Sequence, residues 1–422
     1  MLFSSIPFLY YFLPLALIFY FLAPAKFKNT VLLAFSLIFY GWGEPKYLFL
    51  MIVSIGAGYG FGLLLERYRQ KPAARWICFC SVAVSLGFLL YFKYADFFLE
   101  NINAVTGLEL GLLNIALPIG ISFYTFQMIS YTVDVYRGEP AQRNPLHLAT
   151  YIVMFPQLIA GPIVRYSQIA AQLQRRTHSV DLAALGIRRF LLGLGKKILI
   201  ANQLGELCNA FLVSTEKSVL FHWIYAIAFS LHIYFDFSGY SDMAIGLGKI
   251  FGFHFAENFN YPYISASITE FWRRWHISLG TWFREYVYIP LGGNRVSKAK
   301  HIRNILIVWM LTGFWHGAAW NFMLWGLYYG LLLLAEKLFL APKLEKLPAK
   351  AQQAYCFILV LFGWVLFFSP TLKDAFVYIG NMFGIGGSGF IDSTGLYYLT
   401  SNLILLVICA LCSTPWLWKK FR

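Results

Sequence analysis

Apolar runs recur along the whole chain, most of them at least the roughly 17–25 residues that cross a hydrocarbon core of about 30 Å as a helix. A backbone in lipid must satisfy its own N–H and C=O groups, so these runs are expected to be helical. The alternation over about ten residues that marks a membrane β-barrel is absent. Charged residues make up 13% of the sequence, against about 25% in a soluble domain. The expected fold is therefore an all-α polytopic membrane protein. It forms one membrane-embedded domain over 1–422, with about eleven crossings plus re-entrant and interfacial helices.

Taken in order, the runs are 7–24, 30–42, 47–65, 76–98, 114–135, 186–213, 219–250, 304–318, 321–338, 353–369 and 396–418. The N-terminus lacks a charged leader and a small-residue cleavage site, so the first run reads as a retained helix. The stretch 147–166 is apolar, but Pro156, Gly161 and Pro162 interrupt it. Proline spacing of this kind forbids one clean helix. Broken backbone at membrane depth is tolerated only where protein or a cavity surrounds it, so 147–166 is expected to be re-entrant and to line a cavity.

The net charge of +15 would suit nucleic acid if it lay on a soluble domain. Here the basic residues sit in short loops, such as Arg67, Arg69, Lys71 and Arg75, or Lys337, Lys343, Lys346 and Lys350. That is the pattern of cytoplasmic loops, and nucleic acid is not an expected partner. The same rule puts the N-terminus outside and the final KKFR inside a plasma membrane. Cys78/Cys80 and Cys409/Cys412 lie in apolar runs without metal-type partners and read as buried thiols.

Ionisable groups inside apolar runs are costly and are functional candidates. The first set is in EFWRRWHISLGTWFREYVYI, 270–289, where Trp272, Trp275 and Trp282 interleave with Arg273, Arg274 and Arg284. This is the composition of an interfacial helix. His276 stands at its centre, and the adjacent arginines would lower its pKa and favour neutral imidazole. A surface anchor is the plainer reading of the segment. The second is His316 in LTGFWHGAAWN, flanked by Gly313, Gly317, Trp315 and Trp320. Small neighbours admit a second backbone or a substrate, and a neutral imidazole there could take a proton from a hydroxyl. A structural histidine bonded across helices is the alternative. His232, Asp236 and Asp242 form a third set. His232 and Asp236 share a helix face and could pair; interhelical hydrogen bonding would also account for all three. No HxxxH, HExxH, GxSxG or P-loop string occurs, so metal catalysis, a serine-hydrolase elbow and ATP-driven transport lack support.

The strings ITEFWRRWHISLGTWFREYVYIPLGGNR and LTGFWHGAAWNFMLWG resemble the bacterial branch of the membrane-bound O-acyltransferases. SFYTFQMISYTVDVYRG, MFPQLIAGPIVRYSQ and YFDFSGYSDMAIGLGKIFGFHFAENFNYPY belong to the same pattern, and together they cover roughly 120–330. The chain resembles especially the alginate O-acetylation type, and the peptidoglycan O-acetylating proteins are similar and are not separated from it by these strings. Teichoic-acid D-alanylating proteins are more distant.

The resemblance implies a ring of helices around a central channel, with His316 as the catalytic histidine and His276 as the second family histidine. It implies a cytoplasmic acyl donor such as acetyl-CoA, no bound cofactor and no metal. The acceptor would be an extracytoplasmic polysaccharide, reached through a separate extracytoplasmic acetyltransferase partner. The residue pattern suggests that Arg273 and Arg274 meet donor phosphates and that Trp315 or Asn321 polarises the thioester carbonyl. Asn258 is expected near the cytoplasmic mouth, Pro156 and Gln157 along the channel, and Asp236 at the channel or in a relay. A transporter or flippase using Asp236, Asp242 and His232 as a proton relay is the competing class, disfavoured by the lack of inverted repeats. D-alanyl, lipid or protein acylation in the same superfamily is the other alternative.

Overall fold

The computed structural model describes residues 1–387 and 389–416; the terminal KKFR lies outside them. Among the described residues the regular structure is helical throughout, with no strand. Six helices are long and apolar enough to cross a membrane: Pro45–Tyr68, Ala73–Thr106, Val219–Ile250, Trp320–Leu344, Ala349–Phe368 and Ser393–Cys412; Pro7–Leu22 is shorter. The expected count of about eleven crossings would have to draw on shorter or interrupted helices as well.

The chain divides into two compact units, one made of Met1–Leu194 with Tyr240–Ala256, the other of Gly195–Gly239 with Glu257 onward. In the first, helix Leu48–Tyr68 packs on Ile121–Arg137 through glycines. A Cβ on Gly62 would lie 2.1 Å from the Tyr131 hydroxyl, and one on Gly58 would meet Met128 Sδ. Helix Ala73–Thr106 runs past the expected exit at 98 and stops at Gly107, φ +71. Its acidic end stays helical because Gly107 supplies the left-handed stop, while Asp96 accepts from the backbone N–H groups of Leu113 and Asn114 at 2.7 and 3.0 Å. Residues 114–120, including Pro118, are not part of the next helix, which starts at Ile121 after Gly120, φ +76.

The broken stretch behaves as proline chemistry requires. Helix Pro145–Val153 ends at Met154, a single turn Phe155–Leu158 follows, and extended chain leads to Tyr166. Side chains take up the backbone groups that the break frees: Phe155 N–H donates to Ser36 Oγ at 3.1 Å, Gln157 Nε2 to Tyr151 O at 2.6 Å, and Tyr151 hydroxyl to Val164 O at 2.9 Å. Every residue from Tyr151 to Leu158 is buried, so packed protein satisfies the condition for broken backbone.

Two intramembrane carboxylates are neutralised. Asp242 accepts from Arg189 at 2.6 Å in the first unit. Asp236 pairs with Lys197 in the second, where Lys196–Ala201 forms a π-helical stretch. His232 turns its Nδ1 to Ala201 O at 2.8 Å. The expected His232–Asp236 pair does not form, because each group has a partner on the preceding helix. Of the cysteines read as buried thiols, Cys409 is buried, Cys78 and Cys412 are half-buried and Cys80 is exposed.

Candidate functional site

The second unit gathers both family-type histidines. The segment expected as one interfacial helix centred on His276 is two short helices, Ile268–Arg274 and Ile277–Phe283, with His276 between them at φ +43 and ψ +53. A non-glycine residue in this left-handed region is strained and has to be held there by its surroundings. Here the loop after residue 257 diverts the chain: Asn260 N–H donates to Arg274 O at 2.9 Å, and Ile277 N–H to Asn258 O at 2.9 Å. Sequence periodicity cannot reveal this break, because its cause lies eighteen residues upstream.

Helix Ile268–Arg274 is fixed at its other end by a residue that sequence reasoning missed. Glu336 is 2% exposed. Its carboxylate accepts the Ile268 N–H at 2.7 Å, the Thr269 N–H at 2.9 Å and the Thr269 hydroxyl at 2.7 Å. It thereby satisfies two of the orphan donors at the start of a helix and places negative charge at the positive end of the dipole. The available signal was an acidic residue closing an apolar run.

Between these helices and Lys298–His316 lies a cavity of about 960 Å³, within reach of the volume that holds a sizeable ligand. His276 lines it with Trp272, Trp309 and Thr312, and Arg273, Arg284 and Lys337 bring cationic groups to its wall. His316 does not line this cavity; it follows Thr312 by four residues on the same helix. Trp315 links the two histidines, its ring centroid 6.1 Å from His276 and 4.9 Å from His316. Trp325 and Phe367 pack on His316 at 4.9 and 5.5 Å.

The glycines beside His316 admit backbone. A Cβ on Gly313 would lie 2.2 Å from Phe322 O, and one on Gly326 2.2 Å from Trp309 O, so Lys298–His316 and Trp320–Ala335 touch main chain to main chain. Gly317 faces the Phe322 ring.

Several expected roles change with this geometry. Arg274 is engaged by Glu270 at 2.8 Å and donates to Asn260 O at 3.1 Å, so of the adjacent pair only Arg273 lines the cavity. Asn258 is fully buried rather than at a mouth, and its Oδ1 is 3.1 Å from His276 Nδ1. Asn321 donates its amide to Ser369 O at 3.0 Å, leaving a buried Oδ1. The amide nitrogen carries a second hydrogen, a donor of the kind that could polarise a carbonyl. Asp236 is tied to Lys197. Pro156 and Gln157 belong to the first unit and are buried there. His276 lies outside the six candidate spans. Burial first, and His316 second, push its pKa well below the ordinary histidine value; the arginines expected to do this are not the cause.

The sequence model of the membrane-bound O-acyltransferase family matches residues 135–373. The chain belongs to that family. It is thus a multi-pass membrane O-acyltransferase. It is 44% identical over 393 residues to the probable alginate O-acetylase AlgI of Azotobacter vinelandii, covering 92% of this chain and 79% of that relative. It is 34% identical over 424 residues to the peptidoglycan O-acetyltransferase of Helicobacter pylori, covering 92% and 80%. A teichoic acid D-alanyltransferase of Bacillus subtilis is 32% identical over 268 residues, covering 59% and 67%. The matched region contains His276, His316, Asn258 and Glu336.

Proposed function

We propose that this O-acyltransferase moves an acetyl group from a cytoplasmic thioester donor such as acetyl-CoA across the bacterial plasma membrane, for O-acetylation of an extracytoplasmic polysaccharide of the alginate or peptidoglycan kind. The names of the more similar relatives support the acetyl group and the polysaccharide acceptor. The observation that carries the reading is the cavity that joins cationic side chains to a buried histidine. Arg273, Arg284 and Lys337 suit the phosphates of a thioester donor. The apolar wall of Trp272 and Trp309 suits the uncharged arm that ends in the thioester.

In this reading His316 is the general base. Its imidazole takes the proton of the acceptor hydroxyl as the hydroxyl oxygen attacks the thioester carbonyl. The carbon–sulfur bond then breaks, and the thiolate leaves with the proton returned from the imidazole. His276 holds the donor so that its carbonyl reaches the hydroxyl. The N-terminus lies outside and the C-terminus inside, and a separate extracytoplasmic acetyltransferase receives the acetyl group or completes its transfer.

The test is transfer from labelled acetyl-CoA in proteoliposomes. Label should appear on an acceptor hydroxyl, and His316→Ala should lower the rate by 10²–10⁴-fold, the size of a lost general base (about 3–5 kcal/mol). Wild-type rates in that variant would reject His316 as the base. D-alanyl transfer is the second reading, favoured by the teichoic acid relative, and a D-alanyl thioester outcompeting acetyl-CoA would select it. A transporter would use Asp236 and Asp242, each of which holds a basic partner; transport of an intact solute without any acyl donor would select it.

A further inference from the structure

The amide of Asn258 fixes which nitrogen of His276 carries hydrogen. The backbone N–H of Ser278 lies 3.2 Å from one terminal atom of the Asn258 amide. A backbone N–H can only donate, so that atom is the oxygen and not the nitrogen of the amide. The Ser278 hydroxyl donates to the same oxygen at 2.8 Å. His276 Nδ1 faces it at 3.1 Å. An amide oxygen offers only lone pairs, so Nδ1 has to bear hydrogen to bond it. In a neutral ring Nε2 is then the acceptor. Nε2 is buried without a hydrogen-bond partner, in a residue that lines the 960 Å³ cavity.

We propose that Asn258 is a positioning residue that locks His276 in the Nδ1-protonated form, so that Nε2 keeps a lone pair for a hydrogen-bond donor of the substrate. The substrate group is a hydroxyl or an amide N–H, not a carbonyl oxygen. Asn258 also holds the left-handed turn itself, through Ile277 N–H to its own carbonyl. One residue thus sets both the backbone and the proton of His276, which is how a strained residue becomes over-determined. Burial of His276 keeps the ring neutral. The proposal rests on the reading that His276 works on the donor.

Two measurements test it. The first uses ¹⁵N-histidine-labelled protein in proteoliposomes at pH 7, with no substrate, and His276→Gln to assign the signal. Nδ1 should give a protonated-type shift and Nε2 an unprotonated-type shift; the reverse pattern overturns the proposal whatever the protein's reaction is. The second follows thiol release from acetyl-CoA. Asn258→Ala should lower it by up to about 100-fold, as misplacing a group that positions a reactant does, and should add nothing in a His276→Ala background. Asn258→Asp should recover part of the rate and move the acidic limb of the pH profile upward, because a carboxylate stabilises imidazolium. Additive losses in the double variant, or no shift of the limb, would overturn it. A wild-type rate for His276→Ala would instead reject the reading on which it rests, leaving the NMR result intact.

Discussion

Arg274 donates through Nε to Glu270 Oε1 at 2.8 Å, one helical turn away, and its neighbour Arg273 takes no part in that bond. Two arginines that read alike in the sequence therefore have different work. Arg273→Ala should raise KM for a phosphorylated thioester about tenfold with little change in kcat, the signature of lost ground-state binding. Arg274→Ala should leave KM alone. It should cost no more than about 1 kcal/mol of stability, since both partners are part-exposed. Steady-state kinetics and a thermal midpoint in detergent separate the two.

The buried His276 sets a pH dependence. Its folded pKa lies well below 6.5, so the neutral, working ring persists through pH 6.5, and any acidic limb due to it falls lower. Its effect on stability has a definite sign. Below about pH 6.5 the unfolded ring binds a proton that the folded ring refuses, so this contribution falls as pH falls from there toward the folded pKa. Thermal midpoints of wild type and His276→Gln, compared between pH 7.5 and 5.5, should converge on acidification.

Asp236 distinguishes structural pairing from proton relay. If it serves Lys197, then Asp236→Asn and Lys197→Gln should each reduce stability, because each leaves a charge in the membrane without its partner, and the double variant should be no worse than the poorer single. Acetyl transfer should survive. A relay would instead fail completely on loss of the carboxylate, which the same transfer assay would register.

Gly313 has no room for a side chain, because the obstructing atom is the Phe322 carbonyl oxygen rather than a movable group. Gly313→Val should push helix Lys298–His316 off Trp320–Ala335 and displace His316, three residues further along. The expected loss is more than about 3 kcal/mol, as for severe overpacking, read as low yield of monodisperse protein. Gly60→Ala, which meets open space, serves as the contrast.

The long helices were legible because hydrophobic length carries them, and the two histidines stood out because an ionisable residue among tryptophans and glycines is unusual. The broken stretch around Pro156 was legible from proline chemistry alone. What escaped was set by partners distant in sequence. The turn at His276 depends on Asn258, the start of helix Ile268–Arg274 depends on Glu336, and the different duties of Arg273 and Arg274 depend on Glu270 and Asn260. Local periodicity does not encode any of these. The end of helix Ala73–Thr106 was missed for another reason: the apolar run ended at 98, whereas Gly107 is the actual stop.

The bond from Thr269 to Glu336 spans 67 residues, and this imposes an order on biogenesis. Chains emerge from the ribosome N-terminus first, so the donors at the start of Ile268–Arg274 wait for their acceptor until the hairpin of Lys298–His316 and Trp320–Ala335 has been synthesised. Nascent chains arrested before residue 336 should therefore leave the Arg273–His276 segment open to protease, and those arrested well beyond it should protect it. The wall of the cavity beside His276 is in this sense completed from behind, by a residue translated after both histidines.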